Sequence, residues 1–180
     1  MSCSGNYVMP RKFLAALVAL LLSAGLVRAD DIINQTVPDA RMVGQGVLSY
    51  AFWDIYEATL YAPGGKWDPS RPFALSIDYF RALDGRAIAD RSVQEMRNQG
   101  FTDEVRLAAW HGQMATIFPD VQKGTRLTAI HMPGAETDFY QDGRAIGTIR
   151  DAEFGRRFFA IWLAENTSEP GLRQALLGMP

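Results

Sequence analysis

The chain predicts an α+β domain on a mostly antiparallel sheet, and three observations carry that expectation. Segments 45–50 and 54–62 are rich in β-branched and aromatic residues and flank Phe52 and Trp53, where the chain must turn back, so they read as a β-hairpin. Stretches 84–100 and 102–117 instead repeat their apolar residues at spacings of three and four, the helical period. Asp142 and Gly143, a dipeptide that favours a tight turn, then separate two short alternating segments. No repeat, low-complexity tract or linker interrupts the order of strands, two helices, strands and two helices. At 180 residues the chain suffices for one cored domain and not for two.

The N-terminus reads as an export signal. Arg11 and Lys12 precede the apolar run FLAALVALLLSAGLV, and Val27 and Ala29 supply small residues at minus three and minus one of a cleavage site. Met9 as the start would bring the basic pair into the n-region. The run is short for a bilayer span, so cleavage after Ala29 is expected over a retained anchor. This divides the chain into a signal peptide, 1–29, and a single domain, 30–180, in the periplasm or secreted, with no stable membrane anchor after cleavage. The lone Cys3 lies ahead of the apolar run, so the mature chain holds no cysteine or disulfide and relies on an ordinary core. Cleavage removes three basic residues and no acidic one, taking the formal charge from −2 to −5, which argues against nucleic acid as a partner.

Along the mature chain, IINQTV within 30–39 is expected as a short edge strand stopped by Pro38. In the hairpin's second arm, alternation sets Asp54, Tyr56, Ala58 and Leu60 on one face and Ile55, Glu57, Thr59 and Tyr61 on the other. Pro63, Gly64 and Gly65 end it. A third strand, 73–80, shares Phe73, Leu75, Ile77 and Tyr79 on one face. The first long helix has Asp84 as its cap, Gly100 as its stop and Ile88, Ala89, Ser92, Val93 and Met96 on its apolar side. The second is expected to start at Thr102, to bury Val105, Leu107, Ala108, Trp110, Met114, Ala115 and Ile117, and to close at Pro119. TRLTAIHM follows as a strand with Leu127, Ala129 and His131 on one side. Asp151 caps a helix with Phe154, Phe158, Ile161 and Trp162 on one side, and Thr167 or Ser168 caps a last one ending at Gly178.

The usual catalytic constellations are missing. His111 and His131 are the only histidines and form no HxxxH or HExxH pairing, so neither a metal site nor a cofactor is expected, and each histidine should bond backbone or water. No serine sits in GxSxG, and GQG at 44–46 enters a strand, which suits tight packing or a bulge rather than a phosphate loop. Asp151 and Glu153 suit a helix N-terminus better than an acid and base pair. What stands out is amphipathic aromatics: Tyr50, Trp53, Tyr56, Tyr61, Trp67, Tyr79, Trp110, Tyr140 and Trp162. Trp110 and Trp162 read as core, and a subset of the rest between sheet and helices would line an apolar cleft with a few polar tips.

With VGQG at 43–46, FWDIYEATLYAP at 52–63, FALSIDYFRALDGRAIADRSVQEMRNQG at 73–100, FPDVQKGTRL at 118–127, FYQDGRAIGTI at 139–149 and FFAIWLAENTSEPGLRQALLG at 158–178, the chain resembles the chalcone isomerase-like family in its secreted bacterial branch. The resemblance implies an open-faced β-sandwich, a large antiparallel sheet with a layer of helices on one face and a ligand cleft between. Plant chalcone isomerases carry an arginine and a threonine on the hairpin arms and a tyrosine and an asparagine on the first helix. Matching the motifs places Leu48, Tyr56, Ile88 and Glu95 at those four positions, so none of the expected residues appears. Fatty-acid-binding relatives keep an arginine and a tyrosine for the carboxylate.

The reading that results is an exported, non-catalytic domain binding a small hydrophobic or amphipathic ligand such as a fatty acid. Tyr56 and Trp53 would line the cleft, with Ile88 and Glu95 from the helix, and Arg86 or Arg91 would meet an acidic headgroup. The alternatives are an intramolecular lyase closing a ring in a chalcone-like substrate, which would need groups to stabilise anions where Leu48 stands, and a cell-envelope interaction module.

Overall fold

The computed structural model of the chain describes Met1 and residues 29–179. The expected signal peptide therefore falls outside the described residues except at its two ends.

Six strands form one antiparallel meander in sequence order: β1 (Ala40–Tyr50), β2 (Trp53–Pro63), β3 (Phe73–Tyr79), β4 (Arg126–His131), β5 (Thr137–Gln141) and β6 (Arg144–Ile149). The hairpin turn falls on Ala51 and Phe52, with Ala51 at a φ of 54°, so Trp53 is already paired with Tyr50. Asp142 and Gly143 both take positive φ, 49° and 83°, the conformation that a two-residue turn needs to match the twist of its strands. At Gly44 the β1 ladder is irregular and a Cβ would lie 2.1 Å from the Ala175 carbonyl oxygen, so GQG is both a bulge and a close-packing site.

Four helices cover one face: α2 (Gly85–Asn98), α3 (Glu104–Ile117), α4 (Ala152–Leu163) and α5 (Pro170–Leu176). The core between them and the sheet draws Ala58, Leu60, Leu75, Ile77 and Ala129 from the strands and Val93, Met96, Trp110, Phe154 and Phe158 from the helices. Asp84 and Asp151 cap α2 and α4 as expected, each carboxylate accepting two backbone N–H groups of the first turn.

Some expectations fail for definable reasons. Segment 30–39 is not an edge strand: Ala29–Thr36 form a helix, α1, because Ile33 and the following Val37 stand four residues apart and bury against Ala74 and Ile130 on the opposite face of the sheet. The cap of α3 is Asp103 rather than Thr102, its carboxylate accepting from Arg106 N. Val105, 82% exposed, and Ala108 point away from the core, because the buried stripe of α3 runs through Leu107, Trp110 and Met114 alone. Helix α5 starts at Pro170 after Glu169, with no side-chain cap: the Thr167 hydroxyl donates to the Ile161 carbonyl at 2.6 Å and accepts from Glu169 N at 3.2 Å, ahead of the first helical turn.

Candidate functional site

The hairpin register builds the site. Alternation along β2 turns Tyr56 to the helix-covered face, where it pairs with Leu48 across β1 and with Tyr79 across β3. The two tyrosine rings meet edge to face with centroids 5.9 Å apart. Above them α2 presents Ile88, Arg91, Ser92 and Glu95, an i, i+3, i+4, i+7 stripe, and α4 presents Phe158, Ile161 and Trp162. These residues enclose a cavity of about 260 Å³ whose far walls are Leu75, Ile77, Phe118, Leu127 and Phe139. Most of the lining is apolar, and its polar members include Tyr56, Arg91, Glu95, Ser168 and Glu169.

Trp162 Nε1 donates to the Tyr56 hydroxyl oxygen at 2.9 Å. Burial pushes the Tyr56 phenol up to about 12, partly offset by that bond. Burial, together with Tyr56, pushes Tyr79 up as well. Both stay protonated at neutral pH, so each presents a neutral hydroxyl rather than a phenolate. Glu95 is only 3% exposed. Arg91 Nη2 lies 2.5 Å from its Oε1 as an ion pair not aligned as a hydrogen bond, and among the described residues neither carboxylate oxygen has a hydrogen-bond partner. The Arg91 side chain is 66% exposed, so it reaches from the cavity toward water. Ser92 donates to Ile88 O of its own helix at 2.8 Å.

The model of the chalcone isomerase-like family matches residues 24–178. The chain belongs to the chalcone isomerase-like family. It is 26% identical over 137 residues to an uncharacterized protein of Haemophilus influenzae, covering 76% of this chain and 67% of that one. Among solved structures it is similar to a fatty-acid binding protein of Arabidopsis thaliana, with a TM-score of 0.60 and 12% identity over 78% of this chain and 87% of that one, a likeness of fold. Leu48, Tyr56, Ile88 and Glu95, the four positions singled out by the sequence resemblance, all line the cavity of this chalcone isomerase-like domain.

Arg91 lines it too, whereas Trp53 and Arg86 do not. Trp53 is 58% exposed and stacks under the Arg81 guanidinium, 4.0 Å from its ring centroid. The β2–β3 ladder begins only at Tyr56, so the hairpin tip projects past the rest of the sheet. Arg86 sits two residues before Ile88, about 200° around the helix and facing water. Neither histidine reaches the cavity. His111 Nε2 meets Asp90 Oδ1 rather than backbone or water, and His131 is buried with no hydrogen-bond partner for Nδ1 among the described residues. No group of three or more His, Cys, Asp or Glu among the described residues is placed to hold a metal ion.

Tyr79, Trp162 and Glu169 were missed as site residues. Tyr79 shares the face of Leu75 and Ile77 by simple alternation, a signal that would have found it once β3 was set beside β2. Nothing local marks Trp162 as a partner of Tyr56, since the two are 106 residues apart.

Proposed function

We propose that this domain is an exported, non-catalytic binding protein that holds a small apolar or amphipathic molecule between sheet and helices. The observation that carries the reading is the cavity of about 260 Å³, mostly apolar with a few polar groups in its lining, the usual design of a site for a small hydrophobic ligand. The volume suits a medium-length single acyl chain. The Arabidopsis neighbour, named for fatty-acid binding, points to the same ligand class. Leu48, where the resemblance calls for an arginine, gives an anionic intermediate no stabilising charge, which favours binding over lyase chemistry.

Native mass spectrometry and lipid extraction of protein purified from its own compartment test this. A co-purifying single-chain amphiphile near one per protein is expected. An empty protein that takes up no medium-chain ligand overturns the reading. Export is tested on the same sample: an N-terminus at Asp30 supports cleavage after Ala29, and an intact 1–29 segment refutes it.

A further inference from the structure

The tip of the long hairpin exposes aromatic residues that neither the core nor the cavity accounts for. Six consecutive residues, 49 to 54, are exposed, Phe52 to 97% and Tyr50 to 78%. The turn itself does not call for them: a two-residue turn of this kind favours asparagine and glycine, whereas Ala51 takes a φ of 54° and Phe52 completes it. Single exposed apolar side chains are ordinary, but three aromatics within four residues form a contiguous patch. The hairpin register sorts this patch by polarity. Ala51 and Phe52 stand at the apex, Tyr50 pairs with Trp53 on the next rung, and Ser49 pairs with Asp54 below, its hydroxyl donating to the carboxylate at 2.6 Å. The Arg81 guanidinium lies over the Trp53 ring, 4.0 Å from its centroid.

We propose that the tip is a membrane-docking element that seats reversibly in the interfacial layer of a zwitterionic phospholipid bilayer. Such a surface grades from hydrocarbon through an amphipathic layer to charged headgroups, and the hairpin repeats that order: an apolar apex, a rung of tyrosine and tryptophan, then one cation and one anion. The β2–β3 ladder begins at Tyr56, three residues behind Trp53, so the tip overhangs the sheet by about 10 Å. That matches the depth of roughly 5–10 Å at which peripheral amphipathic segments lie. Arg81 and Asp54 complement the phosphate and the ammonium of a zwitterionic headgroup, while a formal charge of −5 on residues 30–180 opposes an anionic surface. A protein pocket would accept the same rings without requiring this grading. Leu48 and Ile55, directly behind the tip on its two arms, line the cavity. Docking therefore brings the cavity to the lipid surface, where a single-chain amphiphile partitions. The docking itself stands on the residues of the tip, so it falls separately from the ligand-binding reading.

The test is flotation of the mature protein, residues 30–180, which hold both core clusters, with phosphatidylcholine vesicles in a density gradient at neutral pH. The native protein is expected to float. Phe52→Asp should lower its vesicle partition coefficient at least about tenfold at an unchanged melting temperature, because the side chain at 52 is almost wholly exposed. Exchanging part of the lipid for phosphatidylglycerol should weaken binding rather than strengthen it. Vesicles brominated on their acyl chains should quench tryptophan fluorescence in the native protein and not in Trp53→Phe, a readout that decides the matter even if Phe52→Asp does not fold. A native protein that does not float overturns the proposal, and a benzophenone at position 52 that then captures protein gives the tip to a protein partner instead. Flotation that Phe52→Asp leaves intact, quenching that survives Trp53→Phe, or binding that appears only with phosphatidylglycerol overturns it as well.

Discussion

Among the described residues, two of the places where this domain buries polar atoms without hydrogen-bond partners differ in what offsets the cost. On α2 the Glu95 oxygens are sealed from solvent, and Arg91 Nη2 stands 2.5 Å from Oε1 as the opposite charge. Below the start of α4, His131 Nδ1 and Thr137 Oγ1 are just as buried, yet His131 is packed against Phe73 and Phe159, with ring centroids 4.9 and 5.4 Å away. Gly155 presses in so closely that a Cβ there would stand 2.9 Å from Thr137 Oγ1 and 3.0 Å from His131 Nδ1. At Glu95 a neighbouring guanidinium offsets the buried charge; at His131 and Thr137 the orphan atoms are a cost of packing that the surrounding aromatic burial outweighs.

The largest effect expected from the comparison is alkaline loss of stability on the cavity side. Because folding raises the Tyr56 phenol from 10.0 to about 12, its neutral form is the one the fold favours. That contribution is complete below pH 10 and is lost as pH rises toward 12, to the extent of about 2–3 kcal/mol, with Tyr79 adding to it. Urea midpoints measured across this range should fall steeply. Tyr56→Phe should flatten the fall, and an unchanged slope in that variant would place the titration elsewhere.

The closed region comes next. Gly155→Ala should lower stability by about 1–3 kcal/mol, since the new methyl meets a packed imidazole and a hydroxyl that cannot swing clear. Its uptake of a medium-chain ligand should match the native protein, because the strain lies away from the cavity lining. A native melting temperature would show that the region has slack, and the contrast between the two sites would collapse.

The smallest effect belongs to the hairpin tip. Trp53→Ala removes a ring stacked on Arg81 at an exposed position, for a cost of about 0.5–1 kcal/mol, and should leave ligand uptake unchanged. A clear loss of ligand affinity would return Trp53 to the site from which its exposure removes it.

The comparison also sorts what was readable beforehand. Tyr56, Ile88, Arg91 and Glu95 were reachable from strand alternation, helical spacing and family resemblance together, and all line the cavity. Trp53 and Arg86 carried the right chemistry in the right segments and still fell outside, because neither alternation nor spacing says how far a hairpin overhangs its sheet or how α2 is rotated about its axis. Segment 30–39 failed for a related reason: two apolar residues four apart favour a helix only when a surface such as Ala74 and Ile130 is there to receive them.

By itself the sequence determined the local elements of this protein: the Asp142–Gly143 turn, the caps at Asp84 and Asp151, the apolar stripe of α2 and the two arms of the long hairpin. These depend on backbone preferences and hydrogen bonds reaching only a few residues, so nearby residues specify them. Only the tertiary structure decided that Tyr56 would face Tyr79, that Trp162 would claim the Tyr56 oxygen, and that Glu95 would be buried with Arg91 as its ion-pair partner. Those outcomes depend on strand register and on how the helices settle over the sheet, set by long-range packing among residues as much as 106 apart.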